Sequence, residues 1–273
     1  MRNALISIGS KTHCETLFPF NFPWKIKRKR GLFGQALITG TFLLLVQPSI
    51  QALVPLTDMV DTPTAITLPR ADFSVGLTGY DGGGLLTKAI IGLHDKVYLG
   101  ASIDIENAIG ENTARMNIPG VVGKIRFTDG WDDFPIFISL GYDSFYSGAK
   151  GKVYNAENPY NRMIYGPNVT ITKPIYLFGM EQHVHGGVRT PIQPYYIPED
   201  TAMYFSMDFP IGSFIPIFEI ERIYFNNQRM KEILFNLGLR FQFFESLAIE
   251  LDFMFGIDQK PNRMLVFEYI DRF

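Results

Sequence analysis

The chain has 273 residues, enough for one large domain or two smaller ones, and is 47% hydrophobic and 14% aromatic against only 19% charged. Seven of its 25 basic residues and one of its 27 acidic residues lie in positions 1–52, so the remainder carries 18 against 26, a formal net charge of −8 that disfavours a nucleic-acid partner. No run of 18 or more apolar residues follows position 52, which excludes a membrane-spanning helix from that part, and the single cysteine, Cys14, precedes it.

Residues 1–52 read as a leader and signal peptide. Lys25, Lys27, Arg28, Lys29 and Arg30 form a basic cluster, GLFGQALITGTFLLLVQ supplies an apolar stretch, and PSIQA places a small residue at Ala52. The alternative is an uncleaved amphipathic or anchoring segment; no acylation cysteine follows, which argues against a lipoprotein. Loss of Cys14 with the leader leaves a thiol-free chain, as suits an oxidising compartment. Residues 53–70 are expected as a periplasmic N-terminal extension and 71–273 as one folded domain.

From residue 71 onwards the pattern has period two. Candidate strands lie near 71–80, 85–93, 97–106, 120–128, 135–147, 160–172, 177–189, 202–209, 214–225, 232–243, 247–257 and 263–273. In the third, Val97, Leu99, Ala101, Ile103 and Ile105 oppose Ser102, Asp104 and Glu106. In the tenth, Phe235, Leu237, Leu239, Phe241 and Phe243 oppose Asn236, Gly238, Arg240 and Gln242, and in the eleventh Leu247, Ile249, Leu251, Phe253 and Phe255 oppose Ala248, Glu250, Asp252 and Met254. Two such strands alone would also suit a secreted soluble β-sandwich with a binding role.

The connections decide between them. DGGG, NAIGENTARMNIP, the stretch 148–159, TPIQPYYIPEDT, NNQRMK and DQKPN are on average longer than the intervening HDK, DGWDDF, KPIY, PIGS and FES. Short turns on one rim and longer loops on the other are the mark of outer-membrane barrels, and strands of about 9–11 residues cross a bilayer when tilted. The expected fold is therefore all-β: a closed antiparallel up-and-down transmembrane barrel of about 12 strands, with both ends on the periplasmic side and lipid against the large apolar parity. The last strand, RMLVFEYIDRF, sets Leu265, Phe267, Tyr269 and Phe273 on one parity and resembles the C-terminal signal read by the bacterial barrel-insertion machinery, an expected partner.

VYLGASIDIENAIG, IPGVVGKIRFTDGWDDFPIFISLGYDSFYSG and ITKPIYL together resemble the barrel repeat of outer-membrane proteins linked to exopolysaccharide biosynthesis. That resemblance implies polysaccharide export, or a contact with polysaccharide or other envelope proteins.

By strand parity the lumen gathers Asp104, Glu106, Asp143, Glu181, Asp208, Glu219, Glu221, Glu232, Glu250, Asp252 and Glu268 against Lys88, Lys124, Arg126, Arg189 and Arg240, so a conducting lumen is expected to prefer cations, unless the groups pair and leave a plugged scaffold. Glu181, His183 and His185 in MEQHVHGG share a strand face with Arg189; an H-x-H pair can hold a metal, or simply stand hydrogen-bonded in the lumen. Ser206 and Asp208 on the following strand leave open a barrel hydrolase with a Ser–His–acid site, although nothing marks a nucleophile and no cofactor is implied. GYDGGG has no helix after it and is not a phosphate loop; Asp129, Asp132 and Asp133 lack calcium-loop spacing; Trp131, Tyr98 and Tyr142 are expected as interfacial girdle aromatics.

Overall fold

A computed structural model of the chain describes residues 55–117, 119–130, 135–143, 164–177, 179–193, 201–224, 233–256 and 261–273. All of them belong to the second of two units into which the chain divides, Val46–Phe273. The leader, Trp131, Asp132, Asp133 and Glu232 lie outside the described residues. The strands are β1 (Asp72–Tyr80), β2 (Gly84–His94), β3 (Val97–Glu106), β4 (Arg115–Met116), β5 (Gly120–Arg126), β6 (Phe137–Asp143) and β7 (Ile164–Leu177). They continue with β8 (Met180–Gln193), β9 (Ala202–Asp208), β10 (Phe214–Tyr224), β11 (Leu234–Phe243), β12 (Leu247–Gly256) and β13 (Asn262–Arg272).

Apart from β4, which pairs only with β3, each strand pairs antiparallel with the next strand of the wall, and β1 pairs with β13 from Asp72↔Arg272 to Tyr80↔Met264, so the sheet closes on itself. Both β4 and β5 lie against β3, at Ile105↔Met116 and then at Ser102↔Gly120, so they are two parts of one wall strand and the barrel has twelve. Successive side chains of a pleated strand point to opposite faces. In β11, Phe235, Leu237, Phe241 and Phe243 are exposed while Leu234, Asn236, Arg240 and Gln242 are buried, and β12 repeats this with Leu251 and Phe255 outside and Glu250 and Asp252 inside.

One rim carries the connections 95–96, 209–213 and 244–246, the ends of β5 and β7, the starts of β6 and β8, the start of β1 and the end of β13. The other carries 81–83 and 107–114, the ends of β6, β8, β10 and β12 and the starts of β7, β9, β11 and β13. The strand ends are thus sorted by rim in the order the sequence predicts.

Three expectations are corrected. KPIY is not a turn: β7 runs on through Lys173↔Val184, Pro174↔His183 and Tyr176↔Glu181 to a reversal at 178–179. Pairing with β6 ends at Thr172, so Pro174 stands on an open edge, where a missing N–H is tolerated. Tyr98 is not a girdle aromatic: it shares parity with Ser102 and Asp104 and is buried inside, with the Lys124 ammonium 5.2 Å from its ring centre. The described part of the expected extension, residues 55–70, does not hang below the barrel but runs through its interior.

That segment doubles back on itself. Asp58 bridges Pro63, Met59 N–H donates to the Thr62 carbonyl at 2.8 Å, and Thr64 N–H donates to the Thr57 carbonyl at 3.1 Å. Leu56, Met59 and Val60 join Tyr80, Leu86, Ile217, Met254 and Met264 in one buried cluster, and Leu68 joins Ile90, Tyr98, Val122 and Ile270 in a second. Ala71, at φ 68°, turns the chain from the interior into β1, held by hydrogen bonds to the Gly92 carbonyl and from Phe273 N–H. Gly92 lets the segment pass, because a Cβ there would lie 1.8 Å from the Pro69 carbonyl oxygen.

Gly92→Ala is therefore expected to lower barrel stability by about 1–3 kcal/mol, since backbone must move to admit the methyl group. Gly76→Ala, where the nearest atom would be the Lys88 carbonyl oxygen at 3.9 Å, should stay near wild type in the same urea-unfolding series.

Candidate functional site

The interior is lined by charge arranged unevenly around the wall. Asp208, Glu219, Glu221, Glu250, Asp252 and Glu268 come from β9, β10, β12 and β13, with Arg240 on β11 among them; Lys88, Lys124 and Arg189 come from β2, β5 and β8, interleaved with Asp104 and Glu106 on β3 and Asp143 on β6. Asp104, Lys124, Arg189, Asp208, Glu219, Glu221, Arg240, Glu250 and Asp252 are all buried inside the barrel. Glu181 and Arg126 sit at the short-turn rim: Glu181 is exposed beside the Tyr176 hydroxyl at 3.1 Å, while Arg126, on the inward parity of β5 with Lys124, is half-buried and reaches the Asp95 carbonyl at 3.2 Å. At that rim, outside the strands, a hydrogen bond from Lys96 holds the Asp129 carboxyl below the usual carboxylate range.

Burying an ion without a partner costs several kcal/mol, and Lys88, Arg189 and Arg240 each stand against a carboxylate. Arg240 contacts Glu250 at 2.5 Å and Glu268 at 3.2 Å; Lys88 bridges Asp143 and, at 3.2 Å, Asp58; Arg189 pairs with Glu221. Tyr80 and Asn117 donate to Asp104 at 2.6 and 2.7 Å.

The remaining polar capacity of the wall is spent on residues 55–70. Glu219, only 2% exposed, accepts from Asp61 N–H at 3.2 Å, Thr62 N–H at 3.2 Å and the Thr62 hydroxyl at 2.6 Å, and Asn236 donates to it from the other side at 2.6 Å. Lys124 donates to the Thr57 carbonyl at 2.8 Å and Arg189 to the Asp61 carbonyl at 2.9 Å. A residual cavity of about 90 Å³ remains beside the segment, bordered by Asp58, Asp61, Lys88, Arg189, Arg240 and Glu250. At about 10–15 Å³ for each water it holds a handful.

The histidines belong to the same assembly. His183 Nδ1 lies 3.2 Å from one Asp208 oxygen, His185 Nε2 lies 2.9 Å from the other, and His185 Nδ1 lies 2.8 Å from the Thr172 hydroxyl. The Asp208 carboxylate can only accept, so His185 donates to it from Nε2; the neutral ring then accepts at Nδ1 from the Thr172 hydroxyl, which itself accepts from Ala65 N–H at 2.8 Å. The two rings thus support the inserted segment through Asp208 and Thr172. Ser206 is fully buried and its hydroxyl hydrogen-bonds neither histidine, so the elements of a Ser–His–acid site are neighbours that are not joined. Among the described residues no three His, Cys, Asp or Glu side chains are placed to hold a metal ion.

Sequence reasoning missed Thr57, Asp58, Asp61, Thr62 and Thr172. The available signal was weak: LTDMVDTPTAITLP has no period and carries two acids and a DTPT turn just before the first strand.

Arg189→Ala would leave Glu221 short of its cation and free the Asp61 carbonyl inside the wall. The expected loss is about 3–5 kcal/mol in equilibrium unfolding, as for other broken buried pairs. Lys96→Ala, which removes an exposed pair with Asp129, should change stability by less than about 1 kcal/mol.

No protein-family model and no curated protein matches the sequence. Among solved structures the chain is similar to KdgM porin, alone and in complex with disordered oligogalacturonate, with 10% identity, a TM-score of 0.49, and 72% of this chain and 98% of that chain covered. It is similar to the outer membrane protein Omp33 of Acinetobacter baumannii at 9% identity and a TM-score of 0.37, over 74% of this chain and 97% of that one. It is also similar to a triple mutant of Rhodopseudomonas blastica porin at 8% identity and a TM-score of 0.36, over 73% and 98% respectively. The barrel assignment itself rests on the strand register, in which every wall strand has two partners.

Proposed function

We propose that the protein is a barrel of the bacterial outer membrane with a binding or transport role, whose passage is closed at rest by its own residues 55–70. The carrying observation is that wall side chains inside a closed barrel bind this segment, through Glu219, Lys124, Arg189 and Thr172. A membrane setting is supported by the outward belt of Phe, Leu, Ile and Val, and by closure itself, since hydrocarbon offers no partner to an open strand edge. In this setting the long loops face outside and the short-turn rim faces the periplasm. Lipid and the insertion machinery are the proposed partners; Leu265, Phe267 and Tyr269 alternate outward and Phe273 is exposed, as a readable C-terminal signal requires. Export through residues 1–52 and a link to exopolysaccharide are parts of the proposal that rest on the sequence alone. The hydrolase reading is not favoured, because both His185 nitrogens are engaged elsewhere and Ser206 is sealed.

With the segment displaced, Asp104, Glu106, Asp143, Asp208, Glu219, Glu221, Glu250, Asp252 and Glu268 outnumber Lys88, Lys124, Arg189 and Arg240 on the wall. Planar-bilayer recordings should find the wild type nearly silent and the Asp58→Asn/Thr62→Val variant, which removes one ion pair and one hydroxyl donor, open and cation-selective. Anion selectivity would contradict the wall assignment, and silence of a folded, inserted variant would sink the channel reading.

Leu237→Arg or Leu251→Arg, each placing a charge on the outward face, should lose about 2–4 kcal/mol and most of the heat-modifiable folded form in membranes. Glu245→Arg in the exposed turn 244–246 should assemble as wild type. Equal assembly of all three would remove lipid from the outward face.

A further inference from the structure

We infer that the passage is a peptide-binding site that reads the main chain of its occupant, so that oligopeptides are the ligand class it takes when residues 55–70 are displaced; this rests on the passage proposed above. Six main-chain groups of the inserted segment are held by four wall side chains: the amides of Asp61 and Thr62 by Glu219, the amide of Ala65 by Thr172, the carbonyls of Thr57 and Ile66 by Lys124, and the carbonyl of Asp61 by Arg189. All four wall residues are buried, and none belongs to a neighbouring turn of the segment's own chain: Glu219 is 157 and 158 positions from the amides it binds. By contrast, only the Thr62 hydroxyl and the carboxylates of Asp58 and Asp61 reach charged wall groups, the last at 3.6 Å from Arg189.

The chemistry of the wall groups explains the preference. A carboxylate accepts and cannot donate, while ammonium and guanidinium groups donate and cannot accept. An occupant that satisfies both must present donors to Glu219 and Thr172 and acceptors to Lys124 and Arg189, which every peptide unit does, while Asp58 adds one ion pair with Lys88. The Glu219 contact is the most diagnostic, because two consecutive amides converge on one carboxylate, the anion-holding arrangement formed by successive N–H groups at a turn. Leu56, Met59 and Val60 beside that turn fill the apolar cluster with Ile217, Met254 and Met264, so the favoured peptide carries apolar residues next to a tight turn.

The test uses the full chain, wild type and Asp58→Asn/Thr62→Val, with Asp58→Asn alone as a second variant if the double one folds poorly. The probe is a fluorescent synthetic peptide of residues 55–70, followed by anisotropy. It should bind the loosened protein at least about tenfold more tightly than the wild type, in which the site is filled. N-methylation of the peptide at the positions of Asp61, Thr62 and Ala65 removes the donors to Glu219 and Thr172 and should weaken binding by about tenfold or more. Equal binding of the methylated peptide, displacement by an oligogalacturonate as effective as by unlabelled peptide, or no peptide binding to a folded variant would each overturn the inference. Current without peptide binding defeats this inference alone, and peptide binding without current defeats the channel proposal alone.

Discussion

Closure of the sheet is the constraint on which the rest depends. Nine register pairs between β1 and β13 join residues 72–80 to residues 264–272, and with that seam made every wall strand has a partner on each side. A closed sheet also creates an inside. Small barrels fill theirs with wall side chains, whereas wider ones leave a lumen. Twelve strands fall between, and here the gap is taken by residues 55–70, whose Leu56, Met59, Val60 and Leu68 complete two apolar clusters that the wall alone leaves open.

The interior is electrostatically demanding. Most of its cations are tolerated because they stand against carboxylates, as Arg240 does against Glu250 and Glu268, and Lys88 against Asp143 and Asp58, while Lys124 is held by the carbonyls of Thr57 and Ile66. The inserted segment is part of that balance. Its amides satisfy a carboxylate, its carbonyls satisfy Lys124 and Arg189, and Asp58 supplies the second anion at Lys88. Wall and segment therefore stabilise each other, and displacing the segment has to be matched by water or by another occupant able to donate and accept in the same places.

The histidine pair illustrates how a motif takes its meaning from its surroundings. H-x-H on one strand face can present two rings to a metal, yet here Asp208 lies between the rings and Thr172 links His185 to the Ala65 amide. The same contacts occupy both nitrogens of His185, and the Ser206 hydroxyl hydrogen-bonds neither ring. One set of hydrogen bonds thus engages both rings and ties the β8–β9 wall to the interior segment.

Much of the wall was legible because the determinant is local. Alternation of Phe, Leu and Ile with Asn, Arg, Glu and Asp in β11 and β12 reports which face is apolar, and that depends only on the pleat of the strand carrying it. Loop lengths added the sorting into two rims. Where a local rule had a competing one, it failed: Pro174 suggested a turn, although the end of β6 leaves it an edge where a strand can continue. What occupied the interior could not be read at all. Residues 55–70 have no period, and their partners Thr172, Arg189 and Glu219 lie 107, 128 and 157 positions or more away. The sequence by itself determined strands, faces and rims, since each follows from neighbours along the chain; only the tertiary structure decided that the barrel is filled, and by what, because that depends on which distant donors and acceptors closure brings together.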